Sequence, residues 1–100
     1  MLFLSYESLN FSGPPEIIKS LTSTWNVIVG DTLTVECHAN GWPTPRYEWT
    51  NAVGTVISTQ KTLRLEEVNG NHGGIYKCTA TNRHGSSSFK ITVQVKRTSK

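Results

Sequence analysis

The side chains of this 100-residue chain that could take part in chemistry are few: two cysteines, three histidines and seven carboxylates. Cys37 and Cys78 are too few for a four-ligand thiolate zinc site, and two is the number that one internal disulfide requires. His38, His72 and His84 accompany neither a His-x-x-x-His nor a Gly-x-Ser-x-Gly arrangement, and their positions on an outward strand face and in turns are typical of solvated histidines. No catalytic residue is assigned, and we expect a protein that is not an enzyme.

Binding of a hard metal ion is not indicated either. Asp31 is the only aspartate, and the glutamates are scattered apart from the neighbours Glu66 and Glu67, whereas a calcium site needs several clustered carboxylates. A formal net charge of +3 falls well short of the dense Lys/Arg face of a nucleic-acid-binding protein. We therefore predict no metal, no cofactor and no nucleic-acid partner.

The composition indicates a single domain, or one module of a longer protein. Hydrophobic residues make up 36% and charged residues 17% of the chain, which is typical of neither a disordered nor a membrane protein. No run approaches the roughly 18 apolar residues that cross a bilayer, so we expect no direct membrane insertion by this segment. We predict a tail or interdomain linker over residues 1–13, a domain over 14–96 and a linker over 97–100.

Short segments of alternating polar and apolar residues follow one another along the chain, and none sustains a helical period. Each segment has the pattern of a strand with one buried and one solvated face. The inward positions of three segments are Leu33, Val35 and Cys37; Tyr76, Cys78 and Ala80; and Phe89, Ile91, Val93 and Val95. Turn residues separate the segments, and Gly13-Pro14-Pro15 is expected to precede the first strand. About seven or eight strands in an all-β, two-sheet sandwich are predicted.

Four residues of types that favour buried sites lie at informative spacings. Cys37 and Cys78 are 41 positions apart, Trp49 follows Cys37 by twelve, and Tyr76 precedes Cys78 by two. Tyr76 therefore shares the inner face of its strand with Cys78. The alternative interpretation is a pair of unrelated buried cysteines in a β-rich cytosolic domain, which leaves the agreement of all four positions unexplained.

The segments around these residues resemble an immunoglobulin-like domain of the intermediate or short constant-type sets found in cell-adhesion and cell-surface receptor proteins. Residues 41–49 resemble the Gly-x-Pro-x-Pro approach to strand C, and residues 74–85 resemble the family's Gly-x-Tyr-x-Cys-x-Ala-x-Asn-x-x-Gly run. The resemblance implies a Greek-key sandwich with an inter-sheet disulfide between Cys37 and Cys78. It also implies that Trp49 packs on that disulfide and that Tyr76 forms a tyrosine corner.

Two departures from the family pattern bear on the architecture. The family usually has an aspartate two positions before Gly74, and His72 stands there, so the carboxylate of the usual charge pair is missing. Only thirteen residues separate Trp49 from Leu63, which leaves room for a short C′ strand and little for a D strand. The resemblance therefore implies a compact domain in which the D strand is absent, and excludes the longer variable type.

Trp42 is the first candidate for contact with a partner. It lies in the connection before strand C, where the family often has a small polar residue. The alternation pattern does not predict that its side chain is buried. An exposed indole on a rigid loop suits an interface anchor; the alternative is that it folds down over the sheet edge. Arg83 and His84, in the predicted F–G turn, are further candidates.

Other surface features allow more than one interpretation. Lys77, Lys90 and Lys96 lie at outward strand positions, where they favour either contact with heparin or another anionic glycan, or simple solvation and protection of the sheet edge. Trp25 is expected to pack at an edge or against an adjacent domain. Asn10 begins the sequon Asn-Phe-Ser and is a candidate glycosylation site.

These features together predict a non-catalytic, extracellular recognition module of a cell-adhesion or cell-surface receptor protein. Its partner would be another protein or a second copy of itself, and its parent a larger secreted or membrane-anchored chain with neighbouring immunoglobulin-like domains. Two alternatives stay open. The domain is a spacer in an ectodomain whose ligand binds elsewhere, or it belongs to an intracellular muscle-type array in which the cysteines remain thiols.

Overall fold

The computed structural model describes residues 13–18 and 22–97. Within these residues the chain forms β-strands and one 3₁₀ turn at Gly70–His72. The strands are β1 (Gly13–Ile17), β2 (Thr24–Ile28), β3 (Leu33–Glu36), β4 (Ala39–Trp42), β5 (Arg46–Thr50), β6 (Val56–Ser58), β7 (Thr62–Leu65), β8 (Gly74–Asn82) and β9 (Gly85–Lys96). No helix in this described part is long and apolar enough to cross a bilayer.

The strands form two layers. One layer is a five-stranded sheet in the order β2-β9-β8-β5-β6, in which β2 runs parallel to β9 and the other pairs are antiparallel. The other layer consists of the antiparallel pairs β1-β4 and β3-β7. β3 and β4 are successive parts of one strand, interrupted at residues 37–38, so that β1 and β7 pair with different parts of it. The result is the all-β sandwich that the alternation predicts.

The described residues form nine strands, against the seven or eight expected. One reason is that β4 includes Gly41 and Trp42, which were expected in the connection before strand C. β1 pairs with β4 in one layer, and β2 pairs with β9 in the other. The prediction that Gly13-Pro14-Pro15 precedes the first strand is wrong, since these residues open β1. The register is irregular between Gly13 and Glu16, and β1 is an edge strand. Proline lacks the backbone N–H that donates to a strand ladder, and it is tolerated at an edge because that N–H is not needed there.

The core fills the space between the layers. Trp49, Leu63, Val68 and Ile91 are at most 1% exposed. Buried side chains alternate with more exposed ones along β3, β5, β8 and β9, as the two-residue period of a strand requires. The connection from β6 to β7 has only three residues, 59–61, and contains no strand. The expected absence of a D strand is thereby confirmed.

Candidate recognition surface

The two cysteines join the layers. Cys37 and Cys78 form a disulfide, and both side chains are fully buried. Trp49 lies opposite Cys78 in the β5-β8 register and is also fully buried. Its indole N–H donates a hydrogen bond of 2.9 Å to the Lys61 carbonyl oxygen, which also accepts the Cys37 N–H at 3.0 Å. These atoms position the sandwich and leave neither sulfur available as a nucleophile.

Tyr76 connects the end of the 3₁₀ turn to β8. Its hydroxyl donates a hydrogen bond of 2.6 Å to the His72 carbonyl oxygen, the geometry of a tyrosine corner. Burial raises the pKa of the Tyr76 hydroxyl, because the phenolate form is less well solvated there. The hydroxyl therefore stays a donor at neutral pH.

His72 stabilises the same turn locally in place of the missing charge pair. Its Nδ1 atom accepts the Asn69 N–H at 2.9 Å, while the Asn69 side-chain oxygen accepts the Asn71 N–H at 2.8 Å. This reciprocal capping satisfies backbone donors that a short turn leaves without partners. Within the described residues the ion pairs are His38–Glu36 and Arg64–Glu66, and His72 takes part in neither.

The predicted contact residues lie at one end of the sandwich, which we call the tip. Trp42 is the last residue of β4, lies opposite Gly13 of β1, and is 57% exposed. Arg83 and His84 form the turn between β8 and β9 and are both exposed. The indole is thus exposed to solvent at the same end of the sandwich as a basic turn.

Asn82 holds the three segments of the tip together, a role that the sequence analysis did not assign. Its Nδ2 atom donates hydrogen bonds of 2.9 Å to the carbonyl oxygens of Gly13 and Pro43, and its Oδ1 atom accepts the His84 N–H at 2.8 Å. Gly41 allows the close approach, because a Cβ atom there would lie 3.0 Å from the Pro15 Cα atom. Asn82 is the asparagine of the family motif quoted above, so the sequence did mark this position. Its hydrogen-bond partners, however, are 39 and 69 residues away along the chain.

Replacing Asn82 by alanine should lower the free energy of unfolding by about 2 kcal/mol, since two hydrogen bonds to backbone carbonyls are lost. Asn82→Asp should be at least as destabilising, because a carboxylate cannot donate to those carbonyls. Urea denaturation followed by far-UV circular dichroism measures both. Asn26→Ala, at an exposed position of β2, is the control and should change stability little. An Asn82→Ala variant as stable as that control would contradict the assignment.

The remaining predicted surface residues are dispersed. Lys77 and Lys90 are direct cross-strand partners on the outer face of the five-stranded sheet, whereas Lys96 lies opposite Ile28, further along β9. Trp25 packs against the core and donates its indole N–H to the Thr22 carbonyl oxygen at 2.8 Å, which is edge packing. The predicted glycosylation site Asn10 lies outside the described residues.

The chemical groups at the tip can form hydrogen bonds and apolar contacts. No group of three or more His, Cys, Asp or Glu side chains that could hold a metal ion occurs in residues 13–18 and 22–97. The tip instead offers an indole, a guanidinium, an imidazole and a clamped backbone. Such a surface is suited to contact with a macromolecule.

The disulfide-linked sandwich with its buried tryptophan and tyrosine corner is that of an immunoglobulin domain. The chain belongs to this family: the family model described as "Immunoglobulin domain" matches residues 14–82.

Two curated relatives are cell-adhesion molecules by name. The chain is 37% identical over 90 residues to "Neural cell adhesion molecule L1-like protein" of Mus musculus, covering 81% of this chain and 7% of that protein. It is 34% identical over 85 residues to "Intercellular adhesion molecule 5" of Mus musculus, covering 81% of this chain and 9% of that protein. The chain thus spans less than a tenth of the length of these relatives.

Solved structures share the fold. One chain of the complex of Dpr11 IG1 with DIP-gamma superposes on this chain with a TM-score of 0.76 at 28% identity. The match covers 82% of this chain and 47% of that one. A tandem immunoglobulin pair of titin superposes with a TM-score of 0.77 at 19% identity, over 87% of this chain and 51% of that chain. The latter likeness is one of fold alone.

Proposed function

We propose that this chain is a non-catalytic, extracellular recognition module of a cell-adhesion or cell-surface receptor protein, which contacts a protein partner or a second copy of itself through the tip. The observation that carries the proposal is the exposure of Trp42, 57%, on a backbone clamped by Asn82. An exposed indole costs solvation free energy in the isolated domain, and burial against a partner recovers it.

The basic turn at the tip adds to this proposal. Arg83 and His84 supply N–H donors at the same end of the sandwich as the indole, and aromatic residues with arginine are the side chains most enriched at the centres of protein interfaces. Because the backbone is already held by hydrogen bonds to Asn82, little conformational entropy is lost when a partner binds. The surface of one tip is small, so we expect modest affinity multiplied by several copies or domains.

The comparisons support the extracellular part of the proposal. The relatives named above are adhesion molecules, and the Dpr11–DIP-gamma structure contains immunoglobulin domains bound to one another. A Cys37–Cys78 disulfide persists in an oxidising compartment. We extend this to residues 14–96 as one module, flanked in its parent protein by similar domains, with a glycan at Asn10.

The test is adhesion of beads coated with the multimerised chain to cells that express candidate surface ectodomains, including the parent protein itself. Trp42→Ala should reduce bead capture about tenfold or more, as expected for an interface anchor, and leave the melting temperature nearly unchanged. Val53→Ala is the matched control, because Val53 is 83% exposed and lies in the β5–β6 turn, at the other end of β5. Capture that the Trp42 and Val53 variants support equally would overturn the tip as the contact site.

A spacer role is the second candidate, and the compact β6–β7 connection favours it. With three residues between these strands, the domain has no long loop at this side edge that could reach a protein partner. A spacer predicts that Trp42→Ala leaves bead capture by the full ectodomain unchanged. Deleting the domain would then reduce capture only by altering the distance between its neighbours.

A further inference from the structure

A concave surface distinct from the Trp42 side chain lies on the outer face of the five-stranded sheet, where part of β5 lacks a neighbouring strand. β6 pairs only with Trp49 and Thr50 of β5. The first three residues of β5, Arg46–Glu48, therefore have no strand partner on that side among the described residues. The notch is about 10 Å long at the rise of an extended strand. We call it the β5 cleft.

The walls of the β5 cleft come from four segments. The connection at residues 43–45 and the turn at residues 59–61 flank the notch, and the end of β8 with Arg83 continues it across the sheet. Together they enclose about 960 Å³, within the range of sites for small ligands. Trp42 is not among the lining residues, although the cleft shares Arg83 with the tip.

The charge of the β5 cleft is unbalanced. Arg46, Lys61 and Arg83 line it against the single carboxylate of Glu48. Arg46 lies opposite Thr81 in the register, and Arg83 is in the turn two residues beyond Thr81. None of the three cations takes part in an ion pair within the described part of the chain. A surface on which cations outnumber carboxylates attracts an anion.

The rest of the lining is rich in hydroxyl groups. Thr79 and Thr81 lie on the same outer face as Glu48 and Arg46, their cross-strand partners, and Thr44 and Thr59 close the two ends. Hydroxyl groups both donate and accept hydrogen bonds, which suits a ligand that is itself covered with hydroxyls. Tyr47 offers no open ring, because the Lys61 Nζ atom lies 5.9 Å from its centroid.

We propose that the β5 cleft binds an acidic sugar, that is, a carboxylated or sulfated unit within a glycan chain. The guanidinium groups of Arg46 and Arg83 would pair with its acidic group, and the threonine hydroxyls with its ring hydroxyls. An acidic peptide that adds as a strand fits less well, since the three-residue notch is too short for a ladder of backbone hydrogen bonds. The biological relevance of the site rests on the extracellular placement proposed above.

The test is isothermal titration of the full chain with four defined probes. A heparin-derived tetrasaccharide is sulfated, sialyllactose is carboxylated, lactose is neutral, and hexaglutamate is an acidic peptide. At least one acidic sugar should bind about tenfold more tightly than both lactose and hexaglutamate. Which of the two binds better identifies sulfate or carboxylate as the preferred group.

Charge variants locate the binding. The double variant Arg46→Gln/Arg83→Gln should weaken binding of that sugar about tenfold or more, because hydrogen bonds between ionised groups are lost. Glu48→Gln should tighten it, since a repelling carboxylate is removed. Arg64→Gln is the matched control: Arg64 is exposed, lies outside the cleft and pairs with Glu66 at 2.7 Å. It should leave the affinity unchanged.

Three results would overturn the proposal: acidic sugars that bind no better than lactose, hexaglutamate that binds as tightly as the sugars, or Arg64→Gln that weakens binding as much as the double variant. The cleft and the tip share Arg83, so Trp42→Ala is the variant that distinguishes the two proposals. Trp42→Ala should retain sugar binding, and failure of the cleft would leave the Trp42-dependent bead capture as it was.

Discussion

A chain in which Cys37 and Cys78 are both replaced by alanine should be less stable by at least about 4 kcal/mol. The disulfide spans 41 positions, and in the chain-entropy model a loop of this length restricts the unfolded ensemble by about that amount. Since a small domain is stable by only about 5–15 kcal/mol, this is a large share of the total. Urea denaturation followed by far-UV circular dichroism measures the loss as a lower transition midpoint.

The reduced wild-type chain is the control that separates the two physical causes. It keeps both buried side chains and loses only the covalent link, so its stability reports the loop effect, and any further loss in the double-alanine variant reports packing. If the oxidised and reduced wild-type chains unfold at the same urea concentration, the disulfide does not stabilise this domain and the prediction is wrong.

Trp49→Ala should cost about 3–5 kcal/mol with the disulfide intact. The side chain is fully buried, so its removal leaves a cavity between the layers. It also takes away the indole donor that the Lys61 carbonyl oxygen accepts at 2.9 Å. Trp49→Phe should cost less, because most of the volume is retained and only the hydrogen bond and part of the contact are lost.

Trp25→Ala is the matched control for Trp49→Ala. Trp25 makes the same kind of hydrogen bond, to the Thr22 carbonyl oxygen at 2.8 Å, but it is only partly buried at the edge of its sheet. We expect a loss on the order of 1–2 kcal/mol, in proportion to the smaller apolar area buried. Equal losses for the two tryptophans would show that burial between the layers is not what makes Trp49 important.

The fold was predictable because its determinants repeat locally. β3, β8 and β9 bury every second residue, and this period is read directly from the order of apolar side chains. The spacing of Cys37, Trp49, Tyr76 and Cys78 then specifies the family. The start of the first strand was misplaced because prolines usually signal turns. At an edge strand with an irregular register, their missing N–H costs no ladder bond.

The tip was predictable only in part. The sequence left open whether Trp42 is exposed or folds over the sheet edge, and placed it in a connection; the structure shows it exposed at the last position of β4. The clamp by Asn82 does not follow, because its partners Gly13 and Pro43 are distant in sequence, and only the pairing of β1 with β4 brings them beside β8. Likewise His72 was recognised as a departure from the family, but the hydrogen bond that it makes in place of a charge pair depends on the conformation of the turn.

By itself, then, the amino-acid sequence determined the all-β class, the disulfide, the buried tryptophan and the absence of a D strand, because each depends on periodicity, spacing or the length of a connection. Only the tertiary structure decided which polar groups meet. Arg46, Lys61 and Arg83 lie on three segments separated by 15 and 22 positions, and they line one cleft because β6 ends before it reaches the start of β5. These three side chains come together because of the register in which the strands pair. That register cannot be predicted from a local pattern along the chain.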